Sequence, residues 1–539
     1  MNSGFVELLM RVIQPHLAVL PVLLPAFTAM VLLLVGDRNE SLRLRRRIAL
    51  ASAAIGGLIV LKLALDANAD VLRVYRVGDW PAPFGIVLVV DRLSALMLLL
   101  TQAIALPVLL YASGGWDSHG RHFHALFQFQ LMGLNGAFVT GDLFNLFVFF
   151  EILLIASYVL LAHGQGRERF RVGVQYVAIN LAASALFLIG VALIYATVGT
   201  LNMADLAQRV PRVTGDDAVV LKAAALILLV VFGVKAALLP LCLWLPATYA
   251  AASAPVAALF AIMTKVGVYS IVRVHGVIFG DAAGAAALVV EPWLLPLALA
   301  TGVFAVFGVL AANTLPRLVA YLTVASVGTI LAAIGLFTTL AWSAAFYYMA
   351  HSTLVIAALF LLVELVAAQR GDAADRLEPG APVAQPVLLG LMLLLAAASS
   401  AGLPPLPGFI GKLMVLQASS GHAAQAWIWT VVLSVGFLTL IGLARAGSLL
   451  FWSVRPELAG TGNAAGASPR LLAATLSLLA AGVAMSVLAG PLKRYTDAAA
   501  EQLADRDAYA RAVLGGEGVR TTQPYVFPRP ATDSDEGGH

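Results

Sequence analysis

The chain has 539 residues, of which 61% are hydrophobic and only 12% charged, with a net charge of +4 and a mean hydropathy of +0.91. So little polar surface excludes a water-soluble enzyme or nucleic-acid-binding domain and points to a polytopic membrane protein, its basic excess sitting in loops. A single cysteine, Cys242, excludes an internal disulfide and a cysteine-ligated iron–sulfur cluster. With no Gly-rich nucleotide fingerprint or Walker motif, any driving energy comes from an ion gradient or from partner chains, and no cofactor is expected.

In chain order, apolar runs separated by Gly, Pro or charged clusters predict an all-α fold of about fourteen transmembrane segments. They fall at 15–36, 48–66, 91–112, 123–140, 143–163, 173–197, 219–249, 252–275, 292–312, 316–338, 342–367, 385–420, 425–450 and 468–490. The first run, Leu17–Val35, is too long for a signal-peptide core and lacks a small-residue cleavage site after it, so it is expected to be a retained span. Residues 1–122 form a three-helix N-terminal part and 451–490 the fourteenth helix. From 491 to 539 the chain is polar, ends in TDSDEGGH, and is expected to be poorly ordered.

Arg38, Arg43, Arg45, Arg46 and Arg47 follow segment one, Arg167, Arg169 and Arg171 follow segment five, and Arg370 and Arg376 follow segment eleven. All lie after odd-numbered segments, which places those loops in the cytoplasm and both termini outside. Lys493, Arg494, Arg506 and Arg511 of the tail run against that assignment.

Segments seven and twelve are too long for one straight crossing and carry prolines: Pro240 in the first, and Pro404, Pro405 and Pro407 in LPPLPGFIGK. Each is fourth in a group of five, residues 123–275 (segments four to eight) and 276–450 (segments nine to thirteen). Lys235 lies five residues before Pro240, whereas Lys412 lies five residues after Pro407. A lysine on opposite sides of the break is what two inverted five-helix repeats would give, and paired interrupted helices point to a transport site.

Glu151 on segment five, Lys235 on seven, Lys265 on eight, His351 on eleven and Lys412 on twelve are each flanked by apolar sequence. A charge at mid-bilayer costs at least ~2.5–3.5 kcal/mol, so it is kept for a purpose. Burial and a movable carboxylate shift a lysine in opposite directions, which allows proton loading and release near neutrality; histidine suits a relay because it titrates near ~6.5 unaided. Glu151 and Lys235 fit as such a pair, with Lys265, His351 and Lys412 as further stations. The plainer readings are a structural ion pair for Glu151 and Lys235, a snorkelling Lys265, a hydrogen-bonded core His351 beside Tyr347, and a helix-end charge for Lys412. Asp142 is read as the N-cap of segment five, with a channel-mouth or cation-binding role as the other option. Lys62, Arg273, Arg317 and Arg445, near segment ends, are expected to snorkel.

Five stretches, GDLFNLFVFFEILLIASYVLL, KAALLPLCLWLPATYAAASAPVAALFAIMTKVGVYSIVR, ANTLPRLVAYLTVASVG, MAHSTLVIAALFLL and GLPPLPGFIGKLMVL, together resemble the antiporter-like proton-pumping subunits of respiratory complex I and its relatives, over about residues 90–450. Within that group, NGAFVTGDLFNLFVFFEILLIASYVLL is most similar to the D-type subunits of the Mrp-type multisubunit monovalent cation/proton antiporters. The resemblance implies fourteen helices with two inverted repeats, and a polar axis of Glu151, Lys235, Lys265, His351 and Lys412 joining two half-channels. It also implies exchange of Na⁺, Li⁺ or K⁺ for protons in a bacterial inner membrane, in complex with A-, B-, C-, E-, F- and G-type subunits. Ala247 stands where the family usually has an acidic residue after LWLP, which puts a proton-collecting role there in doubt. A pumping subunit of a complex I-like or membrane-bound hydrogenase assembly would share these residues, and a membrane scaffold tied by interhelical charges is a third reading.

Overall fold

The computed structural model describes residues 14–36, 41–455 and 466–515. Each of the fourteen predicted segments coincides with helix, and eleven described helices are long and apolar enough to cross a membrane. Helix is what a chain in lipid must form, because no water is there to satisfy free backbone groups. Local signals set the ends. Asp142 caps Leu143–Ala162 by accepting from the Asn145 amide at 2.8 Å, as read from the sequence. Proline at the first turns of Ala254–Phe260, Leu315–Ile334, Pro386–Ala401 and Pro407–Ala418 starts those helices where its missing N–H costs nothing.

Segments seven and twelve are broken where expected. Segment seven is Gly215–Ala236 and Trp244–Ala251, separated by a turn containing Pro240; its first half ends on Ala237, which takes the left-handed φ of 62° that usually needs glycine. Segment twelve is Pro386–Ala401 and Pro407–Ala418, the first half ending on Gly402 at φ 89°.

Four expectations need correction. Segment eight is also interrupted: Ala254–Phe260 and Met263–Ile271 are followed by a π-helical turn, Val272–Ile278. The fold is not purely helical, since Arg73–Arg76 and Val87–Val90 pair as an antiparallel hairpin in the loop after segment two. The polar tail is ordered at its start as Ala489–Ala504 and Arg506–Leu514, which bury Thr496, Ala499, Ala500, Leu503, Tyr509 and Val513 at helical spacing; residues 516–539 lie outside the described residues. Arg273 does not snorkel: it is 3% exposed and forms a forked ion pair with Asp91 at 2.5 and 2.9 Å.

Contacts between loops fall into two sets. Loops after odd-numbered segments meet through Arg46–Asp117, Arg470–Ser113 and a Thr314–Arg376 bridge. Loops after even-numbered segments meet through Leu88–Thr140 and Asp142–Asn202 bridges, and the tail joins them through Gln502 and Arg92. At the first end Asp117 also bonds His124 at 2.9 Å. Burial works against its ionisation, but the Arg46 fork and His124 outweigh that and hold its carboxyl at about 2. A depressed folded-state value means that this anchor is fully present above pH ~4 and fades as the pH falls toward ~2.

Local geometry recurs in the two groups of five segments. Leu143 and Met203 amides bond the Leu201 and Gly141 carbonyls, and Leu315 and Leu377 amides bond those of Asp375 and Asn313. A Cβ at Gly136 would meet the Phe149 ring, and one at Gly308 the Tyr321 ring, at the same 2.2 Å. One constant shift along the chain relates 143 to 315, 136 to 308 and 149 to 321.

Candidate functional site

The intramembrane charges form two clusters. In the first, segment six (Arg167–Val198) lies between Glu151 and Lys235. The Lys235 ammonium donates to Asn180 Oδ1 at 3.1 Å and sits over the Phe150 ring at 5.7 Å. Ser184, one turn along the same helix face, donates to the Glu151 carboxylate. The expected direct Glu151–Lys235 ion pair is therefore not made; the two are near enough for their charges to interact, but a neutral amide and a hydroxyl hold them. Asn180 and Ser184 are the residues of this cluster that sequence reasoning missed. Asn180, Lys235, Tyr176, Trp244 and Met263 line a small cavity with about 10 Å³ open to the centre of a water molecule, roughly room for one. Glu151 is half-buried on a helix whose Val148, Ile155 and Val159 are exposed.

Segment eight joins the clusters. Gly267 lets it press against the break in segment seven: a Cβ there would lie 2.8 Å from the Lys235 carbonyl carbon and 2.4 Å from the Ala236 nitrogen. Lys265, two residues earlier, is 0% exposed and points the other way, donating to Ser326 Oγ at 3.2 Å.

Ser326 opens the second cluster. It lines one cavity with Tyr348, His351, Ser352, Lys412 and Thr439, with about 20 Å³ open to water centres. His351 is 1% exposed, and its Nδ1 has no partner among the described residues. Tyr348, rather than the expected Tyr347, packs on its ring at 5.7 Å; Tyr347 instead donates to the Met485 carbonyl. Lys412 reaches back across the break to the Ser400 and Ala401 carbonyls at 3.1 and 2.7 Å. Those are unsatisfied last-turn acceptors of Pro386–Ala401, at the negative end of a half-helix dipole, so the broken helix itself holds the ammonium. The structure thus brings His351 and Lys412 to one cavity, with Lys265 bonded to Ser326 in its wall, and Glu151 and Lys235 to one helix face, and no hydrogen bond links Lys235 to Lys265 among the described residues.

None of the three lysines has a carboxylate within ion-pairing distance among the described residues. Their ammonium groups are held in contact by neutral dipoles, with the Glu151 charge near Lys235 but not bonded to it, so no ion pair locks either protonation state. A buried structural ion pair is built the other way, with its partner in contact. Asp142 lies in the loop bridge opposite Asn202, away from both cavities, and serves as the helix cap. Ser326→Ala removes the polar side-chain partner of a buried ammonium, a bond worth about 1.5–3 kcal/mol. The expected result is an exchange rate reduced on the order of tenfold in vesicles, with assembly intact.

The family described as NADH:quinone oxidoreductase/Mrp antiporter, TM matches residues 140–442, which contain all five charged groups. The chain is 41% identical to the D-type subunit of a probable K⁺/H⁺ antiporter of Rhizobium meliloti, over 93% of this chain and 97% of that one. The chain belongs to the family of Mrp antiporter D-type subunits. Its Bacillus subtilis relative, the D-type subunit of a Na⁺/H⁺ antiporter, is 37% identical over 93% of this chain and 99% of its own length. One chain of the Mrp complex from Dietzia sp. DQ12-45-1b superposes with a TM-score of 0.81 at 26% identity, covering 93% of this chain and all of that one. One chain of Thermus thermophilus respiratory complex I shares the fold, with a TM-score of 0.75 over 93% of this chain and 100% of that one at 24% identity.

Proposed function

We propose that this chain is the proton-translocating subunit of an Mrp-type monovalent cation/proton antiporter, a secondary transporter subunit of the bacterial inner membrane that works with A-, B-, C-, E-, F- and G-type partners. The observation that carries the reading is that Lys235, Lys265 and Lys412 are buried at helix crossings and breaks, each held by neutral oxygens. A proton passes between Glu151 and Lys235 along water, with Ser184 and Asn180 holding the two end groups, crosses to Lys265 at the Gly267 contact, and continues along water in the cavity that Ser326, His351 and Lys412 line. The half-helices supply free carbonyls that can stabilise a transient positive charge. Cation identity follows the relatives, which are named for Na⁺ and for K⁺.

Fourteen crossings, two inverted five-segment repeats and outside termini belong to the same proposal. The recurrence of the 141–203 bonding pattern at 313–377, and of the Gly136–Phe149 contact at Gly308–Tyr321, supports the repeat. Loop contacts that join loops of one parity support the alternation of sides, with the tail on the side of the 73–90 hairpin, and the outside assignment rests on the arginine-rich loops.

The test is cation-driven collapse of a pH gradient in everted vesicles carrying the whole complex. Addition of Na⁺ or K⁺ is expected to release the quenching of an acidic-interior dye, and deletion of this subunit alone to abolish the release. No release with the assembled complex would refute antiport, and copurification with flavin and iron–sulfur chains would instead place the subunit in a redox-driven pump.

A further inference from the structure

Segments one to four, here Leu20–Val35, Leu42–Asn68, Arg92–Ala112 and Phe123–Val139, carry buried neutral polar side chains that the lysine clusters do not use. Ala49, Ser52 and Gly56 follow one another at three- and four-residue intervals on the buried face of segment two. Each is met from a different helix. Gln128 of segment four donates an amide N–H to the Ala49 carbonyl at 3.3 Å, and Thr28 of segment one bonds the Ser52 hydroxyl at 2.9 Å. Gln102 of segment three lies over Gly56, where a Cβ would come 3.3 Å from its amide nitrogen. Asn135, seven residues beyond Gln128 and on the same face of segment four, donates to the Pro21 carbonyl at 2.7 Å, which Pro25 leaves without its helical donor. At 1.5 Å per residue these groups span about 10 Å of depth. Arg45, one turn before Ala49, and the Arg46–Asp117 pair bound them on the side of the odd-numbered loops.

A backbone carbonyl can only accept, so Ala49 and Pro21 fix the Gln128 and Asn135 amides with nitrogen toward the backbone and oxygen turned away. Gln128 Oε1, Asn135 Oδ1 and Gln102 Oε1 are buried and have no partner among the described residues. A simple interhelical clamp would not leave three buried acceptors without donors, because each is destabilising unless something satisfies it. The surplus consists of oxygens alone, and none of Thr28, Ser52, Gln102, Gln128 and Asn135 titrates. Such a set suits a positive charge with no proton to give, a Na⁺ or K⁺ ion that takes neutral carbonyl and hydroxyl oxygens in place of its water.

We propose that the crossing of segments one to four is a binding site for the exchanged monovalent cation, separate from the proton-carrying lysines; the proposal rests on the antiport reading above. Gln128 Oε1 and the Thr28 and Ser52 hydroxyls form one rung of ligands, Gln102 Oε1 and Asn135 Oδ1 the next, and water completes the shell. Because the amide nitrogens stay on the Ala49 and Pro21 carbonyls, the oxygens are held in place before the ion arrives.

The test is the dependence of exchange rate on Na⁺ and on K⁺, at fixed pH, in vesicles carrying the whole complex. Gln102→Leu removes one oxygen without taking a donor from a backbone carbonyl, and Ser52→Ala removes another. Each is expected to raise the KM for the cation about tenfold, as loss of one oxygen ligand to a charge implies, with maximal rate and melting temperature close to those of the unaltered complex. Should Gln102→Leu not assemble, Ser52→Ala carries the same comparison. An unchanged cation KM in assembled variants, or a lower maximal rate at unchanged KM, overturns the site while leaving antiport standing. An unaltered, assembled complex with no cation-driven exchange at all would instead refute the antiport reading.

Discussion

Alanine at Lys265 is expected to abolish cation-dependent proton movement, by at least about 100-fold, which is the low end of what a positioned proton-transfer group contributes. Lys265 is the junction between the two clusters: it sits beside the Gly267 crossing on one side and bonds Ser326, in the wall of the His351–Lys412 cavity, on the other. Because it has no carboxylate partner in contact, its removal strands no buried counter-charge, and the complex should still assemble. Lys265→Arg keeps the charge but holds its proton at all accessible pH values, so it is expected to fail as well. The measurement is initial exchange rate per assembled complex in everted vesicles; a rate within twofold of the unaltered complex for Lys265→Ala would remove the residue from the path.

Gly408→Ala should be as damaging for a different reason. A Cβ at this position would lie 1.9 Å from the Ser399 carbonyl oxygen and 2.8 Å from His351 Nε2. The neighbour is backbone, so the two halves of segment twelve must separate, at an overpacking cost of about 1–3 kcal/mol or more. Separation pulls the Ser400 and Ala401 carbonyls from Lys412 and displaces His351 together. Loss of exchange, with a melting temperature lowered by several degrees in detergent, is the expected outcome. Unchanged stability and rate would mean that the break is not held as tightly as this contact requires.

The charged residues were legible in the sequence because a lysine or glutamate inside an apolar run stands out against its neighbours, and the broken helices because proline forces the break. Asn180, Ser184 and Ser326 were not, since small polar residues are ordinary in membrane helices and only the three-dimensional crossing makes them ligands. Complementary charge suggests a direct Glu151–Lys235 pair, but it carries no information about the helix lying between. Arg273 looked like an end-of-helix cation because its partner, Asp91, lies 182 residues away in the chain. The tail's buried positions at 496, 499, 500 and 503 do follow helical spacing, but charge density there masked the stripe. Glycines 267 and 408 gave no local signal of any kind; their need for a missing Cβ is a property of the packed neighbour.

The central claim is that protons travel through this chain by way of buried lysines bonded to neutral dipoles rather than locked in ion pairs. Its most direct test is pyranine-detected proton flux, driven by a cation gradient, into liposomes holding the purified complex with Lys235→Ala, beside the unaltered complex. Flux indistinguishable from that of empty liposomes, although every subunit is present, is the predicted result. Undiminished flux through the Lys235→Ala complex would contradict it.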